Sequence, residues 1–259
     1  MSLSRAQHQN IGVLLGTKIE EKLARYSRES TSMPFLAALM QNKEQVAAYS
    51  FIHSLATTLG MSIYEELSKI VAGDSADHCS TKFNVGGKIS RDQKSVIDNI
   101  LRRLRNGELT SDIDAETREV LSASNAGGME QKEGRIADFF MVRQGIEHYF
   151  EIKTVKPNID VFAASKSKLL EWVARKGNPI KVYVAFPYNP YYPEPYQRFT
   201  LQGMLTPGKD LLIGNDYWDF LGGKGTYEQL MGAVNEVGLR YKDRIAAKIK
   251  QVADTRLSM

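Results

Sequence analysis

Three charged side chains stand inside two apolar runs of this chain. Asp138 interrupts Ile136-Ala-Asp-Phe-Phe-Met-Val142, and Glu151 and Lys153 interrupt His148-Tyr-Phe-Glu-Ile-Lys-Thr-Val155. Only a few turn-forming residues, Arg143-Gln144-Gly145 among them, separate the runs, so the two read as the strands of a hairpin. Counting outward from a turn centred on Gln144-Gly145 brings Asp138 directly opposite Glu151, with Cβ atoms roughly 4.5–5.5 Å apart. Lys153, two residues beyond Glu151, falls on the same face because side chains in a strand alternate. Two carboxylates and an ammonium converge on one spot.

Two carboxylates this close in a sparingly solvated place repel, and one takes up a proton unless a cation holds them together. Magnesium suits such a pair, since it prefers hard oxygen ligands in an octahedron at about 2.0–2.1 Å and keeps several waters and phosphate oxygens. The backbone carbonyl of Ile152, at the same strand edge, completes a candidate ligand set of Asp138, Glu151 and Ile152, and Mn2+ can stand in for Mg2+. A bound phosphodiester would be neutralised there and a coordinated water made more acidic, while Lys153 could orient that water or offset transition-state charge. Asp138, Glu151 and Lys153 are therefore candidate catalytic residues for phosphodiester hydrolysis. The acid-x-Lys spacing alone is weak, because Glu20-x-Lys22, Asp92-x-Lys94 and Glu130-x-Lys132 share it. None of those follows an Asp borne on a neighbouring apolar strand. The alternative is a plain ion pair of Lys153 with either acid, a poor use of three core-facing positions.

The elements that must position this set can be read in outline. Residues 1–125 are mainly helical: apolar positions recur at helical spacing over Ile11 to Tyr26, over Lys43 to Ala72 with a break near Gly60, and over Ile97 to Leu104. A short strand and turn is expected over Lys82 to Ser90, at Gly86-Gly87. After the turn-rich Asn125-Ala-Gly-Gly128 come the hairpin, a helix over Phe162 to Lys176 stopped by Asn178-Pro179, and a buried strand over Ile180 to Phe186. Strand, helix and strand in that order form a parallel crossover. Pro187 to Arg198, rich in Pro and Tyr, reads as a surface loop, and Thr226-Tyr-Glu-Gln229 has the form of a capping box opening a C-terminal helix. The expected fold class is α/β, a mixed central sheet flanked by helices with a helical N-terminal elaboration. One domain over 1–259 is expected, with a catalytic core at 126–190 and a loop and C-terminal helices at 191–259.

Composition narrows the class of protein without naming it. The 259 residues include 34 Lys and Arg against 30 Asp and Glu, a formal charge of +4, with 42% hydrophobic residues and a single cysteine. Disordered and collagen-like chains are excluded, and one thiol, Cys79, makes no intrachain disulfide. No apolar stretch approaches a membrane span, the N-terminus lacks the apolar core of a signal peptide, and the expected location is the cytoplasm. The charges are unevenly spread: Glu108 to Glu119 holds five acids and one Arg, whereas Glu151 to Lys181 holds seven Lys and Arg against three acids. No nucleophile elbow, phosphate loop or dinucleotide fingerprint is present. His53, His78 and His148 have no spacing for metal or nucleophile chemistry and read as structural.

Asp138, then Glu151-Ile152-Lys153 across a hairpin, then a helix and the strand at Ile180 resemble the PD-(D/E)xK nuclease superfamily, with Ala137 in place of its Pro. Phe150-Glu-Ile-Lys-Thr-Val-Lys-Pro-Asn158, Ser165-Lys-Ser-Lys-Leu-Leu-Glu-Trp172 and Tyr217-Trp-Asp-Phe-Leu-Gly222 resemble type II restriction endonucleases of the TdeIII-like group. The resemblance implies a restriction-endonuclease-like core and Mg2+-dependent cutting of both strands of duplex DNA at a short palindrome, such as GGNCC. It also implies a companion DNA methyltransferase, and reading a palindrome calls for a homodimer. The superfamily often adds a glutamate from its first helix; helical periodicity favours Glu66 and the family pattern, an acid after an aromatic, favours Glu65. Lys156, Lys166 and Lys168 are candidate phosphate contacts, and the Tyr-rich loop could stack on bases. A junction resolvase or repair nuclease with the same core, and a DNA-binding module with a vestigial site, remain as rivals.

Overall fold

The computed structural model describes residues 3–29, 33–58, 62–153, 156–197 and 203–256. The chain divides into two compact units, one of residues 3–70 with 228–259 and the other of residues 71–227 together with the first two.

The first unit is helical among its described residues. It holds α1 (Arg5–Glu29), α2 (Pro34–Met40), α3 (Lys43–Thr58), all but the end of α4 (Tyr64–Ala72) and most of α9 (Thr226–Arg256). Ile11, Leu15 and Leu23 of α1, Val46 and Phe51 of α3, and Leu230 and Val237 of α9 are buried. Tyr26 packs edge-on against Phe51 with ring centroids 5.0 Å apart, and its hydroxyl donates to the Ala47 carbonyl. The expected break near Gly60 lies outside the described residues.

The second unit is built on one sheet. Strands β1 (His78–Asn84), β2 (Ile136–Arg143), β3 (Ile146–Ile152), β4 (Lys181–Phe186) and β5 (Leu211–Ile213) lie in sequence order across it. β1 to β3 form an antiparallel meander, and pairing becomes parallel from β3 to β4 and from β4 to β5. The β2–β3 turn is the expected one. Gln144 and Gly145 both take positive φ, 53° and 73°, the geometry that joins twisted strands through two residues. The resulting register pairs Phe139 with Phe150 and Arg143 with Ile146.

The crossover from β3 to β4 is α7 (Ile159–Lys176). Asn158 caps its start by accepting the Val161 N–H at 2.9 Å. The helix ends at Gly177, left-handed at φ 65°, one residue before the expected Asn178-Pro179 stop. Leu169, Leu170, Trp172 and Val173 bury its apolar side in the core with Phe140, Tyr149, Val182 and Val184. On the opposite face of the sheet Phe150, Tyr183 and His148 meet α8 (Asn215–Gly222) through Phe220, at centroid distances of 6.1, 5.3 and 5.5 Å. Burial and the nearby Arg143 lower the His148 pKa to about 4, which keeps the ring neutral at physiological pH and agrees with a structural role.

Several expectations need correction. β1 begins at His78 rather than Lys82 and ends before Gly86-Gly87; as an edge strand of half-exposed polar residues it carries little hydrophobic signal. The acidic stretch after Glu108 adds a helix in keeping with the mainly helical 1–125 region, α6 (Ile113–Ser122), capped by Asp112. With α5 (Arg91–Arg105) it is inserted between β1 and β2. The start of α9 is held by Asp219, which accepts the N–H groups of Gly225 and Tyr227, and the Thr226 hydroxyl donates to the Gly223 carbonyl instead of capping. The architecture is nonetheless the expected α/β one, a mixed sheet between helices consistent with a restriction-endonuclease-like core.

Candidate active site

The hairpin register, continued one step past Phe139 and Phe150, sets Asp138 beside Glu151 where the ladder ends. Both side chains leave the sheet on the face that α7 covers, as Phe140 and Tyr149 do two residues away. The Asp138 Oδ2 accepts the backbone N–H of Ile152 at 2.8 Å, which anchors this carboxylate to the end of β3. The Glu151 side chain is almost wholly buried, at 3% exposure, and each of its oxygens meets an ammonium. Oε1 faces Lys153 Nζ at 2.5 Å, and Oε2 faces Lys168 Nζ. Lys168 comes from α7, where its ammonium lies 5.4 Å from the centre of the Trp172 ring. That indole is fixed by donating its Nε1–H to the Gly134 carbonyl at 2.7 Å.

Electrostatics follow from this crowding. Burial, and then the charge of Glu151, push the Asp138 carboxyl up to about 6, while Lys168, the Ile152 N–H and Lys153 pull it back. Asp138 and Glu151 are thus a strained acidic pair at the carboxyl end of β3, where antiparallel pairing gives way to parallel. Crevices at such strand ends are usual ligand sites in α/β sheets. A hard divalent cation fits the pair, because it relieves their repulsion through oxygen donors. Among the described residues no group of three His, Cys, Asp or Glu comes together for a metal. Waters, or a backbone oxygen such as the Ile152 carbonyl, would complete the shell of such an ion.

The sequence-derived candidates separate into those this site gathers and those it does not. Asp138, Glu151 and Lys153 come together. Lys168 does too, but on the glutamate itself rather than beyond the site; the sequence reading missed that contact. The signal was a stripe: Lys168, Trp172 and Lys176 recur every four residues on α7 and meet Glu151, Tyr149 and Glu147, every second residue of β3. Four residues of helix and two of strand both advance about 6 Å, so the two stripes keep step.

Lys166 is a correction. It is about 200° around the helix from Lys168 and is fully buried, ion-paired to Asp210 at 2.6 Å and to Glu116, so it is no phosphate contact. Its spacing to Leu169, Leu170 and Val173 already placed it on the core face. Lys156 is exposed, with its ammonium 4.9 Å from the centre of the Tyr191 ring. The loop that carries Tyr191 is partly anchored, since Tyr196 packs at 5.4 Å on Phe186, while Tyr192 is exposed. Glu65 and Glu66 lie on α4 in the helical unit, and Glu65 is the more buried, the reverse of the order that periodicity gave.

A five-stranded mixed sheet with this acidic pair and lysine at its strand ends is consistent with a restriction-endonuclease-like nuclease core. Residues 4–238 match the family described as type II restriction endonuclease, HinfI, and the chain belongs to that family. That is the expected class, although the matching family is described for HinfI and not for the TdeIII-like group. Over 241 residues the chain is 26% identical to the type II restriction enzyme HgiEI of Herpetosiphon aurantiacus, covering 90% of this chain and 87% of that enzyme. HgiBI of the same organism is 26% identical over 236 residues, covering 87% of this chain and 84% of that enzyme. The type II restriction enzyme MjaII of Methanocaldococcus jannaschii is 25% identical over 208 residues, 72% of this chain and 54% of that enzyme. No solved structure matches significantly. No helix among the described residues is long and apolar enough to cross a membrane.

Proposed function

We propose that this restriction endonuclease hydrolyses phosphodiester bonds in both strands of duplex DNA at a short palindrome, using Mg2+ held by Asp138, Glu151 and the Ile152 carbonyl. The observation that carries the reading is the pairing of Asp138 with Glu151 at the end of β3, with Lys153 on the Glu151 carboxylate. When bound, Mg2+ would neutralise the phosphodiester and acidify a water. Asp138 and Glu151 supply the oxygen donors, and the N–H of Ile152 keeps Asp138 turned toward its partner. Lys153 has the reach to hold the attacking water by a hydrogen bond and to offset charge on the pentacovalent phosphorus. Lys156, carried with the Tyr191 loop, would contact a flanking phosphate.

A palindromic duplex presents the same groups twice about a two-fold axis, so the working form is a homodimer with one site per strand. The host then needs a companion methyltransferase to protect its own DNA, and both act in the cytoplasm. Incubation of the purified protein with plasmid and Mg2+ tests the reading: discrete fragments are expected, with GGNCC sites the first to map. Absence of cutting with both Mg2+ and Mn2+ would sink it.

A further inference from the structure

Glu151 carries more positive charge than its own neutralisation needs. Lys153 covers one oxygen and Lys168 the other, so with Asp138 the cluster already balances two carboxylates against two ammonium groups. A divalent cation bound between Asp138 and Glu151 would leave that cluster with an excess of two charges and would compete for a Glu151 oxygen. One ammonium has to yield.

How each lysine is mounted decides which. Lys153 is tied to the end of the central strand: its N–H donates to the Ala185 carbonyl of β4 at 3.0 Å, and it stands two residues from Glu151 on the same face. Its main chain is therefore fixed beside the carboxylate, and its ammonium, with 34% of the side chain exposed, stays within reach of the site. Lys168 reaches across from another element and keeps its charge over the Trp172 ring, with 21% of its side chain exposed. A four-carbon stem on a helix can withdraw along the indole toward solvent, with the cation–π contact retained. The other end of the same stripe shows the purely structural version. There Lys176 pairs with Glu147 at 3.0 Å, and among the described residues no second lysine pairs with that glutamate.

We propose that Lys168 is a cation placeholder: in the metal-free enzyme its ammonium occupies the Glu151 oxygen that a divalent ion needs, and once displaced it turns to a phosphate of the bound DNA. The proposal rests on reading Asp138 and Glu151 as metal ligands. It makes Lys168 a positioning residue for the empty site and a DNA contact for the loaded one.

Calorimetric titration of Ca2+ into the full-length protein without DNA tests this directly, on wild type, Lys168→Met, Lys168→Arg and Asp138→Asn, with thermal melts as the fold control. Lys168→Met should bind Ca2+ about tenfold more tightly than wild type because the competing state is removed, and Lys168→Arg close to wild type. In Ca2+ the salt dependence of duplex binding by Lys168→Met should lose about one counterion. Unchanged or weaker Ca2+ binding by folded Lys168→Met overturns the placeholder, and Lys168→Gln serves the same comparison should the Met variant not fold. If Asp138→Asn loses Ca2+ while Lys168→Met matches wild type, only the placeholder falls. If no variant binds Ca2+, the metal reading falls with it.

Discussion

Lys166 and Lys168 leave the same helix two residues apart and enter two acidic clusters of opposite character. Lys166 is closed off completely, donating to Asp210 at 2.6 Å and to the Ser111 hydroxyl at 2.8 Å, with Asp210 fully buried as well. Ser111 and the Thr206 N–H donate to Asp210 too, and Glu116 accepts the N–H of Asp112. That network ties α6, α7 and the approach to β5 into one piece. Lys168 enters a cluster in which one carboxylate is buried but both lysines reach solvent, at 34% and 21% exposure. The closed cluster is shut off from solvent and fixes geometry; the open one reaches solvent and holds an acid pushed out of its ordinary range. Burial alone therefore does not mark a functional charge. In the open cluster solvent access is joined to a carboxyl raised above its ordinary range.

Lys166→Met should have the largest effect, because it strands Asp210 and Glu116 as buried unpaired acids; equilibrium urea unfolding should show a loss of about 3–5 kcal/mol. In the open cluster the cost should appear in catalysis instead. Lys153→Ala should lower single-turnover cleavage by roughly 10²–10³, about 2.7–4 kcal/mol of barrier, and leave the melting temperature close to wild type. The Asp138 carboxyl separates the two roles by pH. Its folded-state pKa of about 6 lies above the ordinary 3.8, so the native chain holds the extra proton between those values and loses stability as pH rises through that window. Asp138→Asn should accordingly melt higher than the parent near pH 8 in metal-free buffer, by roughly 1–3 kcal/mol, with the gain vanishing toward pH 4. Lys156→Ala should have the smallest effect, with no change in melting and a salt slope of DNA binding reduced by about one.

Local rules reached the hairpin and the meeting of its charged side chains because Gln144-Gly145 fixes the register and register alone brings Asp138 to Glu151. They failed where a residue's environment comes from distant chain. Glu116 is buried on α6 against Lys166 of α7, a partner that nothing in the acidic stretch itself announces. The Asp219 side chain caps α9 from the preceding helix, which no capping motif within α9 announces. The contact of Lys168 with Glu151 depends on how α7 lies on the sheet, and only the matched stripes on α7 and β3 foretell it. The order of Glu65 and Glu66 turned on which side of α4 its neighbours cover, a choice that ideal periodicity leaves within one residue.

The central claim is that Asp138 and Glu151 together form the hydrolytic site. Single-turnover cleavage of a duplex substrate in Mg2+ by Glu151→Gln, beside wild type and with near-ultraviolet circular dichroism to show an intact fold, tests it most directly. A loss of at least about 10³ in rate with DNA binding retained is the predicted result, and cleavage near the wild-type rate by the folded variant would contradict it.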